Sequence, residues 1–361
     1  MEAEMRAERG GRTFGILAMQ WASLALVSLA VACSSSPSNP GGAGGEGGWG
    51  EGASGGMGNT GGMGGGGGSA PSVPEIVVPF DPFKGELPEG LAIEGTTAYV
   101  SLSVLNTVIT IDLETGARGE VGSINAQLGI GFTQGVVVDK GIVYAAALSE
   151  DTAQFKPGIY KFTAGNMQAE LFGSHGELIR PRGLAIDANG DMLITEPRLG
   201  ALFSMAPATG MVEKLGAAPE LYGDPASACK SDGTFLTGVQ GLFVTVSGLY
   251  FSNADRATIY QIGKEITPFA GPDCATLGGA DGMVGDIDGS MIVAVPKANL
   301  LARVKFNGQI ETLMKDDLLH EPTSVAIATV GGKRYLYWVN SARTTFKMGG
   351  LPGLGRMPLD G

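Results

Sequence analysis

Between Glu75 and Gly361, aliphatic residues come in short runs broken by Gly, Asn, Asp or Thr-Gly corners, and nothing reads as a long amphipathic helix. Short apolar runs closed by turn residues predict strands joined by hairpins. One phrase recurs at the head of such runs: Pro88-Glu89-Gly90-Leu91-Ala92, Thr133-Gln134-Gly135-Val136-Val137, Pro181-Arg182-Gly183-Leu184-Ala185, Val239-Gln240-Gly241-Leu242-Phe243, Ala280-Asp281-Gly282-Met283-Val284 and Pro322-Thr323-Ser324-Val325-Ala326. From the residue before the Gly (Ser324 in the last copy), the steps are 45, 48, 58, 41 and 42 residues, the period of a propeller blade.

Each phrase opens a strand, turns at a corner such as Asp187-Ala188-Asn189-Gly190, and continues into second strands such as Ala98-Tyr99-Val100-Ser101 and Met192-Leu193-Ile194-Thr195. Third strands follow at Val108–Asp112 and Thr258–Ile262, and fourth strands after Thr115-Gly116, Thr209-Gly210 or Asn307-Gly308. Four strands in each of six repeats predict an all-β fold, a six-bladed β-propeller over residues 75–361. Blade six supplies three strands of its own, and Glu75-Ile76-Val77-Val78-Pro79 is the spare strand expected to complete it. The competing architecture is a seventh blade in the long gap between Glu213 and Thr237.

The first 74 residues follow a different pattern. Arg6, Arg9 and Arg12 precede an apolar run from Gly15 to Ala32, then Ala30-Val31-Ala32-Cys33. Residues 1–32 have the form of a secretory signal. The small residues before Cys33 resemble the lipobox of bacterial lipoproteins, which implies lipidation of Cys33 and, with Ser34 after it, sorting to the outer membrane. An uncleaved signal anchor is the alternative. Residues 33–74 hold 18 of the chain's 60 Gly between Gly41 and Gly68. Such a tether buries too little apolar surface to fold, and its reach is roughly 35 Å. The elbow-like Gly52-Ala53-Ser54-Gly55-Gly56 falls inside it and lacks the flanking strand and helix that a nucleophile elbow needs.

Export places Cys229 and Cys274 in an oxidising setting, where a disulfide is the natural pairing and two buried thiols the alternative. A formal net charge of -12 with no basic run excludes a nucleic-acid partner. With His175 and His320 the only histidines, multi-histidine metal sites are excluded too.

The first strand of each blade lines the central channel, so the residue before each Gly should reach the channel mouth. Round the ring these are Glu89, Gln134, Arg182, Gln240, Asp281 and Thr323, all polar. Glu89 and Asp281, with Gln240 and Gln134 carbonyl oxygens, offer hard oxygen ligands for Ca²⁺ or another divalent cation. Equally, Arg182 bridges the two carboxylates and no cation is needed, or it grips an anionic ligand bidentately. The clusters Ser174-His175 with Glu177, and His320-Glu321, read as solvated loop residues.

The repeats resemble the senescence-marker-protein/gluconolactonase family and, more loosely, NHL-repeat propellers. The resemblance implies a divalent-cation-dependent lactonase or esterase, with Glu89 of Glu89-Gly90-Leu91 and Asp281 of Asp281-Gly282-Met283 as metal ligands and Asp281 as the base. Gln240 stands where that family carries Asn, and Arg182 on a blade that often gives another. Three functions are therefore expected in competition. The first is an outer-membrane-tethered propeller that binds a small molecule or envelope component at the channel mouth through Gln134, Arg182 and Thr323. The second is a lactonase or esterase using Glu89, Gln240 and Asp281. The third is a protein-interaction scaffold whose contact surface is the loop from Leu215 to Gly238.

Overall fold

The computed structural model describes residues 73–230, 237–245 and 248–359. The signal segment 1–32, Cys33 and the tether up to residue 72 lie outside the described residues. Six four-stranded antiparallel sheets are present among those described. The chain is a six-bladed β-propeller. Its sheets start at inner strands Pro88–Glu94, Gly131–Asp139, Leu184–Ile186, Val239–Thr245, Met283–Gly285 and Pro322–Val330. Five blades are consecutive meanders. In the sixth, Glu75–Pro79 pairs antiparallel with Gly353–Pro358, so the first and last described strands close the ring.

The unbroken aliphatic runs follow from burial on both sheet faces. In Met291–Val295, Met291, Val293 and Val295 pack into the core between blades four and five, while Ile292 and Ala294 pack into the core between blades five and six. Each of the six blade interfaces has such a cluster. Alternation is therefore lost along the middle strands, while outer ones such as Met211–Ala217 are exposed or half-buried throughout.

The long step between Arg182 and Gln240 holds no further sheet among the described residues. Its first part ends in a single 3-10 turn, Pro219–Leu221, pinned by Asn253, whose Nδ2 donates to the carbonyls of Glu220 (2.8 Å) and Tyr222 (2.9 Å). A disulfide joins Cys229 to Cys274, with Cα atoms 4.8 Å apart, so the loop entering blade four is bonded to the loop entering blade five.

The glycine of each repeated phrase is demanded by its neighbour. A Cβ on Gly183 would lie 2.2 Å from the Gln240 carbonyl oxygen, on Gly135 2.3 Å from that of Arg182, on Gly241 2.4 Å from that of Asp281, and on Gly90 2.6 Å from that of Gln134. Gly183→Ala is expected to cost about 2–4 kcal/mol in urea unfolding through backbone overpacking. Gly176→Ala, whose added methyl meets nothing within 4 Å, should leave the midpoint nearly unchanged. Equal effects would refute this account of the ring. Replacing Cys229 and Cys274 by Ser together releases a loop with a sequence separation of 45 and should lower stability by roughly 2–4 kcal/mol.

Candidate functional site in the central channel

Inner strands carry an irregularity at the phrase itself. Pairing jumps from Pro88↔Leu102 to Leu91↔Val100 in blade one, and from Val239↔Asn253 to Leu242↔Phe251 in blade four. Two residues thus oppose one, as in a β-bulge, and the strand bends. In blades one, three and four a hydroxyl in the second strand fastens the phrase to the next blade. The Gly90 N–H donates to Ser101 Oγ (2.8 Å), which donates to the Gln134 carbonyl (2.5 Å). Thr195 Oγ1 takes the Gly183 N–H (2.7 Å) and donates to the Gln240 carbonyl (2.8 Å). Ser252 Oγ takes the Gly241 N–H (2.9 Å) and donates to the Asp281 carbonyl (2.8 Å). Blades two and five make the link directly, from the Gly135 N–H to the Arg182 carbonyl and from the Gly282 N–H to the Thr323 carbonyl.

These links hold the polar residues at the channel, and the side chains of Glu89, Gln134, Arg182 and Asp281 converge there. Arg182 Nη2 lies 2.7 Å from Glu89 Oε1 and 2.6 Å from Asp281 Oδ2. Its Nε reaches Asp281 Oδ1 at 3.4 Å and its Nη1 donates to Gln134 Oε1 at 3.1 Å. One residue from blade three thereby joins blades one, two and five. Gln134 Nε2 turns back to the Thr133 carbonyl and Ser103 Oγ. Gln240 does not join this network: its Nε2 donates to the carbonyls of Gly238 and Val239, and its Oε1 is buried without a partner. Thr323 donates to the Glu89 carbonyl (2.8 Å).

Burial raises the pKa of Glu89; the Arg182 charge opposes this and the Asp281 carboxylate adds to it. Burial alone would weaken the hold of Arg182 on its proton, but the Asp281 and Glu89 carboxylates outweigh that and bind the proton more firmly than water would. Two further groups at the site carried no sequence motif. Ser341 Oγ donates to Glu89 Oε2 at 3.5 Å. Arg343 lowers the Glu89 pKa through its charge and lies over the Phe132 ring, 5.4 Å from the centroid. The hydroxyls of Ser101, Thr195 and Ser252 did leave a signal, each closing the aliphatic run of a second strand.

A cavity of about 100 Å³ lies in the channel against Glu89, Arg182, Asp281 and Thr323, with the phrase glycines and apolar residues such as Leu91, Leu184 and Met283 as its walls. That space suits a few water molecules or the end group of a ligand. The donor set does not fit a divalent cation. A guanidinium already occupies the space between the two carboxylates, bonded to both, and a cation could enter only by displacing it. Among the described residues no three His, Cys, Asp or Glu are gathered as ligands. Arg182 is equally unavailable for a bidentate grip on an anion, because Asp281 already fills its Nε/Nη2 edge.

The remaining sequence candidates lie elsewhere. His175 packs on Phe203 (5.2 Å) and accepts the Glu177 N–H at Nδ1, while Glu177 pairs with Lys214 (2.9 Å). Glu321 accepts the Thr344 N–H and hydroxyl, and the His320 N–H is bonded to Asn340 Oδ1. Both clusters are loop fastenings.

No family model matches the sequence, and no curated protein matches it. Solved structures share the fold. The PQQ-bound form of an aldose sugar dehydrogenase from Streptomyces coelicolor superposes with a TM-score of 0.56 at 17% identity, covering 80% of this chain and 100% of that one. The major allergen Mala s 1 of Malassezia sympodialis gives 0.56 at 15%, covering 81% and 97%. A gluconolactonase from Xanthomonas campestris gives 0.54 at 14%, covering 79% and 88%. Gluconolactonases are thus among the structural neighbours, as the sequence resemblance implied. At these identities the likeness establishes the propeller fold alone.

Two outcomes test the Arg182 network. Arg182→Gln strands two buried carboxylates and should cost about 3–5 kcal/mol at pH 7, with Ca²⁺ recovering part of the loss in the variant and none in the parent. Because folding raises the Glu89 pKa above its ordinary 4.5, the stability tied to its protonated form is complete below that value and falls as pH rises through the folded one. The parent should therefore lose stability relative to Glu89→Gln as pH rises above about 4.5 in urea titrations. A relative gain over that rise would show the opposite shift.

Proposed function

We propose that this protein is a metal-independent binding propeller that takes the end of a small neutral polar molecule at its channel mouth. The observation that carries the reading is the Arg182 guanidinium, fixed by side chains from three other blades with the side chain still 26% exposed. Four of its five N–H groups are bonded within the network. The fifth, on Nη1, is a preorganised donor for a carbonyl or hydroxyl oxygen. Glu89, Asp281 and Arg182 together carry one negative charge, which Arg343 offsets. The charge at the mouth is thus close to zero, and a neutral ligand is favoured. Tethering to the outer membrane through lipidated Cys33 belongs to the same proposal and is supported by the order of signal, Cys and Gly-rich segment.

The lactonase or esterase reading requires a cation beside Arg182, with Gln240 turned from the backbone carbonyls that hold it. The gluconolactonase among the structural neighbours supports it only through fold. The scaffold reading predicts that the channel residues can be exchanged without effect on binding.

Thermal unfolding separates the three. EDTA and Ca²⁺ should leave the parent midpoint unchanged. A panel of neutral hydroxylated and carbonyl-bearing compounds should include one that raises it, by about 2.7 kcal/mol of stability at 100 times its dissociation constant, and that fails to do so in Arg182→Lys. A Ca²⁺-dependent rise abolished by Asp281→Asn would instead establish the cation site.

A further inference from the structure

A second cavity, of about 370 Å³, opens at the interface of blades four and five and shares no lining residue with the channel. One wall is aromatic. Phe243 and Tyr250 are cross-strand partners with stacked rings 6.5 Å apart, and Phe269 meets Tyr250 edge-on at 5.1 Å. The first hairpin of blade five contributes small residues, Gly289 and Ser290. Gly285, before that hairpin, makes room for the wall itself: a Cβ there would lie 2.0 Å from the Phe243 ring. The aromatic side chains of blade four thus face a hairpin with little side chain to fill the space.

Phe306 completes the lining and is 77% exposed. It sits two residues before the Gly of the corner between third and fourth strands, where blades one and three carry Glu114 and Ala208. A phenylalanine at a solvent corner contributes little to folding, but it offers one face to whatever enters the cleft. The charged groups here are paired. Asp286 is held by Arg303 (3.3 Å) and by Arg334, so the cleft has no open counter-charge for an ion. Its volume is in the range of small-molecule sites.

We propose that this cleft binds a neutral small molecule through a ring with an apolar face, either an aromatic ring or the C–H face of a sugar. Aromatic side chains recognise both by stacking and area burial. The site is independent of the channel reading and stands or falls separately.

Methionine methyls distinguish the two sites, since Met291 lines the cleft and Met283 the channel. In the full chain labelled with ¹³C-methyl methionine, indole serves as the aromatic probe and methyl β-glucoside as the sugar probe. At least one of them should shift the Met291 resonance, identified through Met291→Leu, in a saturable manner and by more than that of Met283, which packs in the same core cluster. The affinity of such a fragment should be millimolar. Phe306→Ala removes an exposed ring and should weaken the responding probe about tenfold. The arm that responds tells which kind of ring the cleft takes. An unmoved Met291 with both probes, or a shift undiminished in Phe306→Ala, would overturn the proposal; movement of Met283 alone would speak for the channel and against the cleft.

Discussion

The contact between a glycine Cα and the carbonyl oxygen of the next blade is the constraint on which the ring depends. Repeated at blades one to five, it brings inner strands closer than any side chain permits. Blade six carries Ser324 instead, and its Oγ takes the Leu91 N–H of blade one at 3.2 Å. In blades one, two, four and six a bulge falls at the same place, and in every blade the residue before the contact stands at the channel. A single local device therefore sets the spacing of the blades and chooses the residues that meet at the centre.

What those residues do together follows from how narrow the channel is. Carboxylates from blades one and five share it, and bringing both inside is costly unless a positive charge accompanies them. The guanidinium of Arg182 answers this with a planar fork that bonds to each carboxylate and to the Gln134 amide. A metal ion would meet the same electrostatic need, so a propeller of this shape can fill its centre either way. This chain carries its cation covalently.

The repeat, the four-strand blades and the closing strand were legible in the sequence because they depend on local, recurring signals: a glycine at each strand entry, Gly-containing corners and aliphatic runs. The convergence at the centre was only half legible. Spacing alone distributed Glu89, Arg182 and Asp281 evenly round the ring, but the length of the Arg182 side chain is what lets it cross to three other blades. Gln240 looked equivalent to Gln134 and is not, since its amide bonds to its own strand's carbonyls while Gln134 accepts from Arg182. Ser341 and Arg343 belong to a loop far along the chain and reach Glu89 only through tertiary folding. The aromatic cleft was hidden for a related reason: Gly285 ends a short strand and Gly289 sits in a corner, and only the packed sheets reveal what they leave open.

The closing strand bears on the order of folding. Glu75 is bonded to Arg356 across 281 residues, close to the greatest separation a contact in this domain can have. Ring closure is thus the least local step available to the chain, and its loop-closure entropy falls on a single short strand. Synthesis delivers that strand first and its partner last, so the five central meanders can assemble while Glu75–Pro79 still waits unpaired. Until Gly353–Pro358 arrives, the assembly is an open horseshoe with a bare sheet edge, the form most exposed to pairing with another copy.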